Sequence, residues 1–212
     1  MEFQNLLEIV QDEPVFDTGL LLVGDVNPRE IRRQLSRWSK SGKIYQLRRG
    51  LYSLAPPFQK VTPHPFLVAN RLLSASYVSL QSALAYYGMI PEYVPVTTSI
   101  TTSRPSRWET PLGIYDFRHI QIPFFDGYRM VDFGDQQQAF IAIPDKALLD
   151  LIYLESGGDT LDYLTELRLS NLDMLDWQIL ERLARKIEKP KLLRAVATIQ
   201  GMAEEERDYE SL

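Results

Sequence analysis

Cysteine is absent from the 212 residues, and histidine occurs only twice, at His64 and His119. Without thiols the chain can form no disulfide, no thiolate nucleophile and no cysteine-based zinc or iron–sulfur site. The two histidines are too far apart in sequence to form a ligand pair on one helix or turn. We therefore predict no metal site, and a reducing compartment fits this composition best.

Long apolar segments are also missing. No stretch approaches the roughly 20 apolar residues that a membrane-spanning helix requires, and the first residues lack the basic start and apolar run of a signal peptide. Hydrophobic residues make up 45% of the chain and charged residues 24%, which is ordinary for a globular protein. We expect a soluble, cytoplasmic protein that does not contact a membrane.

The sequence signatures of common active sites are absent too. The chain contains no Gly-x-Gly dinucleotide loop, no Walker lysine motif and no Gly-x-Ser-x-Gly turn. No Asp or Glu is followed two residues later by lysine, as a restriction-type nuclease site would require. We predict no catalytic residue and no cofactor, so the protein is not expected to be an enzyme.

Positive charge is scarce overall but concentrated in one segment. The net charge is −5, from 23 basic and 28 acidic residues. Residues 27–50 contain eight cations and one anion, a balance of +7, which leaves 15 basic and 27 acidic residues elsewhere, a balance of −12. Such an asymmetry is expected when one surface contacts phosphate and the remainder is repelled by it.

The N-terminal pattern predicts a helix-turn-helix. Apolar spacing favours a first helix at residues 2–11, and Asp17 can cap a short second helix, Thr18–Val23, before a turn at residues 24–26. A third helix begins after Asn27, a good N-cap residue that is followed by proline, and ends near Gly42. Glu30 is placed to return its side chain to the Asn27 backbone N–H as a capping box.

The third helix separates apolar from basic residues. Ile31, Leu35 and Trp38 recur at spacings of four and three and form the predicted buried stripe. The other faces carry the predicted DNA-binding residues Arg29, Arg32, Arg33, Ser36, Arg37 and Lys40. The third helix of the chain would be the second helix of the helix-turn-helix motif, whose N-terminal residues enter the major groove.

A β-hairpin is predicted at residues 43–54, with an Arg-Arg-Gly tip. Gly50 can supply the positive φ of a tight turn, and a basic tip is suited to backbone phosphates. Lys43, Arg48 and Arg49 complete the predicted DNA-binding set. Together with the helices, the hairpin predicts a winged helix-turn-helix domain at residues 1–56.

Four prolines in ten residues predict a stiff linker at residues 57–65, followed by an α+β domain at residues 66–212. We expect helices at 66–73, 80–87, 145–154, 161–167, 177–187 and 192–202, the first two of them preceding the sheet and Ser79 capping the second. A small, mainly antiparallel sheet is expected from runs at 96–101, 114–118, 119–122 and 138–143. The acidic tail at 203–210 is expected to fray.

Few residues of this second domain suggest chemistry. The aromatic-rich stretch Tyr77–Pro91 is interpreted as core in preference to an interface. Asp145, Lys146 and Asp150 are interpreted as capping and solvated charges at the start of their helix, and His119 as structural.

Three segments resemble the AbiEi-type antitoxins of the type IV toxin–antitoxin family and related regulators. They are Arg49-Gly50-Leu51-Tyr52, which begins at the tip of the predicted wing, the stretch Tyr77–Pro91, and Ile143–Leu154. The segments occur in the order typical of that family, and the resemblance covers most of residues 15–155.

The resemblance implies a bacterial antiviral-defence protein whose winged domain binds operator inverted repeats and represses transcription of its own operon. Two copies would occupy the inverted half-sites. It further implies that the second domain counters a nucleotidyltransferase-like toxin, without a stable complex being required. A stand-alone transcriptional regulator, or a protein-interaction module without antitoxin activity, remains an alternative, and a nuclease acting on foreign DNA is disfavoured by the missing carboxylate–lysine pattern.

Overall fold

The computed structural model describes residues 1–24, 26–92 and 94–210, and of residues 206–210 the backbone alone. The architecture is mixed α+β, as predicted, with one sheet of three strands and one of six. Within the described residues, no helix combines the length and the apolar character needed to cross a membrane.

The N-terminal region, residues 1–56, contains two helices and a small sheet. Its elements are α1 (Phe3–Val10), β1 (Phe16–Asp17), a 3-10 turn (Thr18–Leu21), α2 (Pro28–Lys40), β2 (Ile44–Arg48) and β3 (Leu51–Leu54). The strands pair antiparallel in the order β1-β3-β2. The predictions of α1, α2 and the hairpin are thereby confirmed.

The prediction of a helix at Thr18–Val23 is wrong, because only a 3-10 turn, Thr18–Leu21, forms there. Asp17 makes no capping hydrogen bond through its side chain, and Gly19 is a poor helix former. The following turn has Gly24 at φ +86°, but Asp25, in the middle of that predicted turn, lies outside the described residues.

The start of α2 is fixed by local hydrogen bonds. The Asn27 side chain accepts a hydrogen bond from the Arg29 backbone N–H at 2.9 Å, and Pro28 occupies the first helical position. Of the predicted capping box, the hydrogen bond to the Asn27 side chain forms, and the one from the Asn27 backbone to Glu30 does not. Instead of returning to Asn27, Glu30 accepts hydrogen bonds from Gln34 at 2.8 Å and Arg33 at 3.0 Å.

The C-terminal region, residues 66–212, follows a segment that leads into α3. Its first helix begins at Pro65, one residue before the predicted start of the region. The elements are α3 (Pro65–Leu72), β4 (Ser76–Val78), α4 (Leu80–Tyr86), β5 (Val96–Thr101), β6 (Ser106–Thr110), β7 (Gly113–His119), β8 (Tyr128–Asp132), β9 (Gln138–Ala142), α5 (Pro144–Leu154), α6 (Leu161–Glu166), α7 (Trp177–Ile187) and α8 (Pro190–Glu210). Two 3-10 turns lie at Ile122–Phe124 and Leu172–Met174.

The large sheet has the order β6-β7-β5-β4-β9-β8. It has six strands and is mixed, so it is larger than the small, mainly antiparallel sheet that was predicted. Its strands pair parallel in β4–β9 and β5–β7 and antiparallel in the other three contacts. Strands β4, β6 and β8 were not predicted, because three to five residues without clear alternation resemble loops. The run predicted at 114–118 lies within β7. The strand predicted at 119–122 is wrong, because β7 ends at His119 and a 3-10 turn begins at Ile122.

Helix α8 extends further than predicted. It begins at Pro190 and continues to Glu210, so the backbone of the acidic tail is helical where fraying was expected. Helix α7 has the predicted bounds, and its N-cap Asp176 accepts hydrogen bonds from the backbone N–H groups of Gln178 and Ile179.

Two hydrophobic cores support the fold. The smaller lies between α1, α2 and the three-stranded sheet and contains Leu6, Val10, Phe16, Leu21, Ile31, Leu35, Trp38, Ile44, Tyr52 and Leu54. The larger belongs to the six-stranded sheet and its helices, but it also includes Val15, Leu47 and Leu51 from the N-terminal region. The two regions therefore share a core.

The proline-rich segment at 57–65 packs against both regions. Phe58 contacts the smaller core. The side chain of buried Gln137 accepts a hydrogen bond from the His64 backbone N–H at 2.6 Å and donates one to the Thr62 carbonyl at 3.2 Å. The segment is thus held along its length by the fold, where an extended connector was expected.

The charged residues at the start of α5 are buried, and the prediction that they are solvated is wrong. Asp145 is 4% exposed, and Lys146 and Asp150 are fully buried. Lys146 Nζ pairs with one carboxylate oxygen of Asp150. The other oxygen accepts hydrogen bonds from the Tyr77 hydroxyl at 3.0 Å and the Ser79 hydroxyl at 2.8 Å. Ser79 consequently makes no capping bond to its own helix, α4.

Candidate nucleic-acid interface

Helix α2 presents its basic residues on one exposed face. Ile31, Leu35 and Trp38 are buried in the smaller core, as predicted. At about 100° per residue, the predicted DNA-binding residues fall within an arc of roughly 140° centred opposite that stripe. All six are exposed to solvent: Arg29, Arg32, Arg33, Ser36, Arg37 and Lys40.

Most of these cations are available for a phosphate partner. Arg33 forms a surface salt bridge with Glu30 at 2.8 Å, which is worth little in water. Hydrogen bonds from Gln34 and Arg33 hold the pKa of Glu30 below its usual value. No salt bridge to another described residue involves the remaining cations of this face. Neutralisation by phosphate would therefore not require breaking an internal ion pair.

The tip of the β2–β3 hairpin is short and anchored. Arg49 and Gly50 form its turn, with Gly50 at φ +85°. The Gly50 carbonyl accepts a hydrogen bond from the Thr18 backbone N–H at 2.9 Å. Arg49 is exposed, and Lys43 is half-buried, with its ammonium group 4.6 Å from the centre of the Phe3 ring. Arg49 is therefore the hairpin residue best placed to contact solvent or a ligand.

Arg48 points towards the C-terminal region instead. It is half-buried, and its guanidinium donates hydrogen bonds to the carbonyls of Arg49 at 3.2 Å and Arg71 at 3.3 Å. Arg71 in turn forms a salt bridge with Asp17 at 2.6 Å. Unlike the exposed cations of α2, Arg48 therefore takes part in the contact between the two regions.

Sequence reasoning missed this contact because it joins residues more than fifty positions apart. Asp17 was predicted to cap a helix, and no role was predicted for Arg71. Opposite charges at such a separation give no periodic signal. The shared core residues Val15, Leu47 and Leu51 are apolar residues in or next to short strands, and such positions give no local sign of which of two cores they enter.

The buried cluster of the C-terminal region cannot reach a substrate from its present position. Tyr77, Ser79, Lys146 and Asp150 have no exposed surface. Burial and the Asp150 charge raise the pKa of Tyr77, so its hydroxyl remains a donor. Burial also raises the pKa of Asp150, while Lys146, Ser79 and Tyr77 act in the opposite direction. The cluster fastens β4 to α5.

His119 and the stretch Tyr77–Pro91, which the sequence also singled out, have structural surroundings. His119 lies at the end of β7, exposed, with its Nδ1 3.1 Å from the Ser103 carbonyl oxygen. Within the described residues, no group of three or more histidine or acidic side chains could hold a metal ion. The stretch Tyr77–Pro91 is largely core, with Tyr86 as an exposed exception at 44%.

Comparison with known proteins leaves the family open. No protein-family model matches the chain, and no curated protein matches it.

Proposed function

We propose that this protein is a DNA-binding transcriptional repressor that docks α2 in the major groove of operator DNA. The observation that carries the proposal is the exposed basic face of α2, opposite a buried stripe, in an otherwise acidic molecule. A capped helix with such a face can place side chains on base edges and phosphates together.

The arrangement around α2 is consistent with a winged helix-turn-helix. The 3-10 turn at Thr18–Leu21 stands where the first helix of the motif is expected, and the β2–β3 hairpin stands where the wing is expected. The hairpin is short, and Arg48 faces inward. The proposed interface therefore consists of the α2 residues together with Arg49 and Lys43, and Arg48 acts in the contact between regions.

We further propose that the protein acts as the antitoxin of a type IV toxin–antitoxin system. The support is the resemblance of three segments to that family. Two of these segments contact each other, because Tyr77 and Ser79 of one bind Asp150 of the other. Their side chains thus serve the fold of the second domain, and the proposal assigns the role of opposing a toxin to the surface of that domain.

The decisive experiment replaces Arg32, Arg33 and Arg37 with alanine in the full chain. Binding to DNA from the region upstream of its own gene, measured by gel shift, should fall at least about a hundredfold. Each lost phosphate contact should also reduce the slope of log K against log salt by about 0.9. Because the three side chains are exposed, the unfolding transition should hardly change.

The matched control is the triple variant Arg182→Ala, Arg185→Ala and Lys189→Ala. It removes the same charge from exposed positions of the C-terminal region. Its DNA affinity should remain within about threefold of wild type, apart from the general effect of net charge. Equal losses in both variants would show a non-specific charge effect, and unchanged binding in the α2 variant would overturn the proposal in favour of a protein-interaction module.

The antitoxin part has a separate test. The gene beside this one should encode a nucleotidyltransferase-like protein that stops growth when it is expressed alone, and co-expression of the present chain should restore growth. The α2 triple variant should still restore growth when expressed from an unrelated promoter, because the proposal assigns neutralisation to the C-terminal region. Failure of wild type to restore growth would leave a repressor without antitoxin activity.

A further inference from the structure

A cavity of about 510 Å³ opens in the C-terminal region between the start of α3, one side of α4 and the neighbouring parts of β5 and β7. Its volume lies within the range of about 300–1,000 Å³ that is typical of small-molecule sites. The side chains that matter for its chemistry are those of His64, Phe66, Tyr86, Glu92, Val94 and Ile114. The proposed DNA-binding face uses none of them.

One wall of the cavity is aromatic. Phe66 and Tyr86 meet edge to face with their ring centres 5.8 Å apart, and both pack against Phe133 at 5.9 Å. His64 completes the group by stacking on Phe133 at 3.9 Å. Tyr86 retains 44% of its surface, although the other residues of its helix are buried or half-buried. An aromatic surface of this kind is available to a ligand.

The cavity carries charge of one sign. Glu92 is exposed at its rim and is the single charged residue of the described lining, if His64 is neutral. Burial lowers the pKa of His64, and its Nδ1 accepts a hydrogen bond from the Phe66 backbone N–H at 3.2 Å, which favours the neutral ring. Aromatic faces and a carboxylate both attract a cation, while nothing in this lining would neutralise an anion.

We propose that this cavity binds a small organic cation, with its positive group beside Glu92 and its apolar part against Phe66 and Tyr86. An amine attached to an aromatic or aliphatic body of modest size fits both the volume and the charge. Neutral apolar molecules would lack the attraction to Glu92, and anions would be repelled by it.

The site is also placed to influence the N-terminal region. Helix α3 begins at the cavity, with His64 as its N-cap, and near its other end Arg71 binds Asp17 and accepts a hydrogen bond from Arg48 through its carbonyl. A ligand that moves the start of this short helix would strain those contacts. Ligand-dependent DNA affinity is therefore expected, and this step rests on the proposed DNA binding.

Calorimetric titration of the full chain with 2-phenylethylammonium tests the site, and 3-phenylpropanoate serves as the probe of similar size and opposite charge. The cation should bind with a Kd on the order of 1 mM, as befits a fragment of its size, and the anion at least about tenfold more weakly. Glu92→Gln should weaken binding of the cation about threefold, as expected for an exposed ion pair. Tyr86→Ala should weaken it about threefold, whereas Tyr86→Phe should preserve it.

Glu109→Gln, which removes an exposed carboxylate from β6 outside the lining, is the matched control and should bind like wild type. Equal binding of the two probes, or unchanged binding in Glu92→Gln, would overturn the site. Binding of the cation without any change in DNA affinity would overturn the coupling alone. Absence of DNA binding by wild type would count against the proposed function and leave the calorimetric result intact.

Discussion

Lys146 and Asp150 form an ion pair without exposed surface on either side chain. Removing two charges from water costs several kcal/mol, and good geometry with further hydrogen bonds is needed to offset that cost. Here the second carboxylate oxygen accepts bonds from Tyr77 and Ser79. Gly127 makes room for the pair, because a Cβ atom at that position would lie 3.0 Å from the Lys146 side chain.

The buried pair leads to a stability prediction. Lys146→Met should lower the free energy of unfolding by about 3–5 kcal/mol, because it leaves a buried carboxylate without its counter-charge. Adding Asp150→Asn should recover at least about half of that loss, since the amide oxygen can still accept the two hydroxyl hydrogen bonds. Urea unfolding of the single and double variants provides the measurement.

Lys186 is the matched control for this measurement. It pairs with Asp126, but their side chains are 47% and 39% exposed, so Lys186→Met should cost less than about 1 kcal/mol. Similar losses at the two lysines would contradict the importance assigned to burial.

At the level of elements, α2 is the clearest case in which local interactions decide the structure. Its cap, its proline and its apolar spacing are all in one continuous segment. The helix therefore begins and ends where the sequence predicts. The same local logic failed at Thr18–Leu21, where a short segment that contains Gly19 forms too few helical hydrogen bonds to offset the cost of starting an α-helix.

The cap of α2 can be tested directly. Asn27→Ala should reduce the free energy of unfolding by about 1 kcal/mol, because the Arg29 backbone N–H loses its acceptor. Asn27→Asp should retain most of the stability, since its carboxylate can accept the same bond and interacts favourably with the helix dipole. Thermal unfolding monitored by circular dichroism distinguishes the two, and equal stability of all three proteins would refute the role of the cap.

Across the whole molecule, the two regions depend on each other. Val15, Leu47 and Leu51 lie in the larger core, at 1%, 4% and 0% exposure. Arg71 adds a salt bridge to Asp17 and a carbonyl acceptor for Arg48. The segment between the regions is held by Gln137 as well.

This dependence predicts the behaviour of a fragment. Residues 1–60 produced alone should be largely unfolded, because three core side chains would face water and the Arg71 contact would be lost. The full chain should unfold in one transition in which both regions take part. Circular dichroism and amide NMR dispersion of the fragment test this, and a fragment that is as well ordered as the intact N-terminal region would contradict it.

The amino-acid sequence by itself determined the concentration of positive charge, the α+β composition, and the bounds and faces of α2. These follow from neighbours in the chain, through helix periodicity and capping. Only the tertiary structure decided the mixed order of the large sheet, the burial of Lys146 with Asp150, the inward turn of Arg48 and the cavity beside Tyr86. Each of these depends on which distant segments pack together, and a single sequence carries no local signal of such pairings.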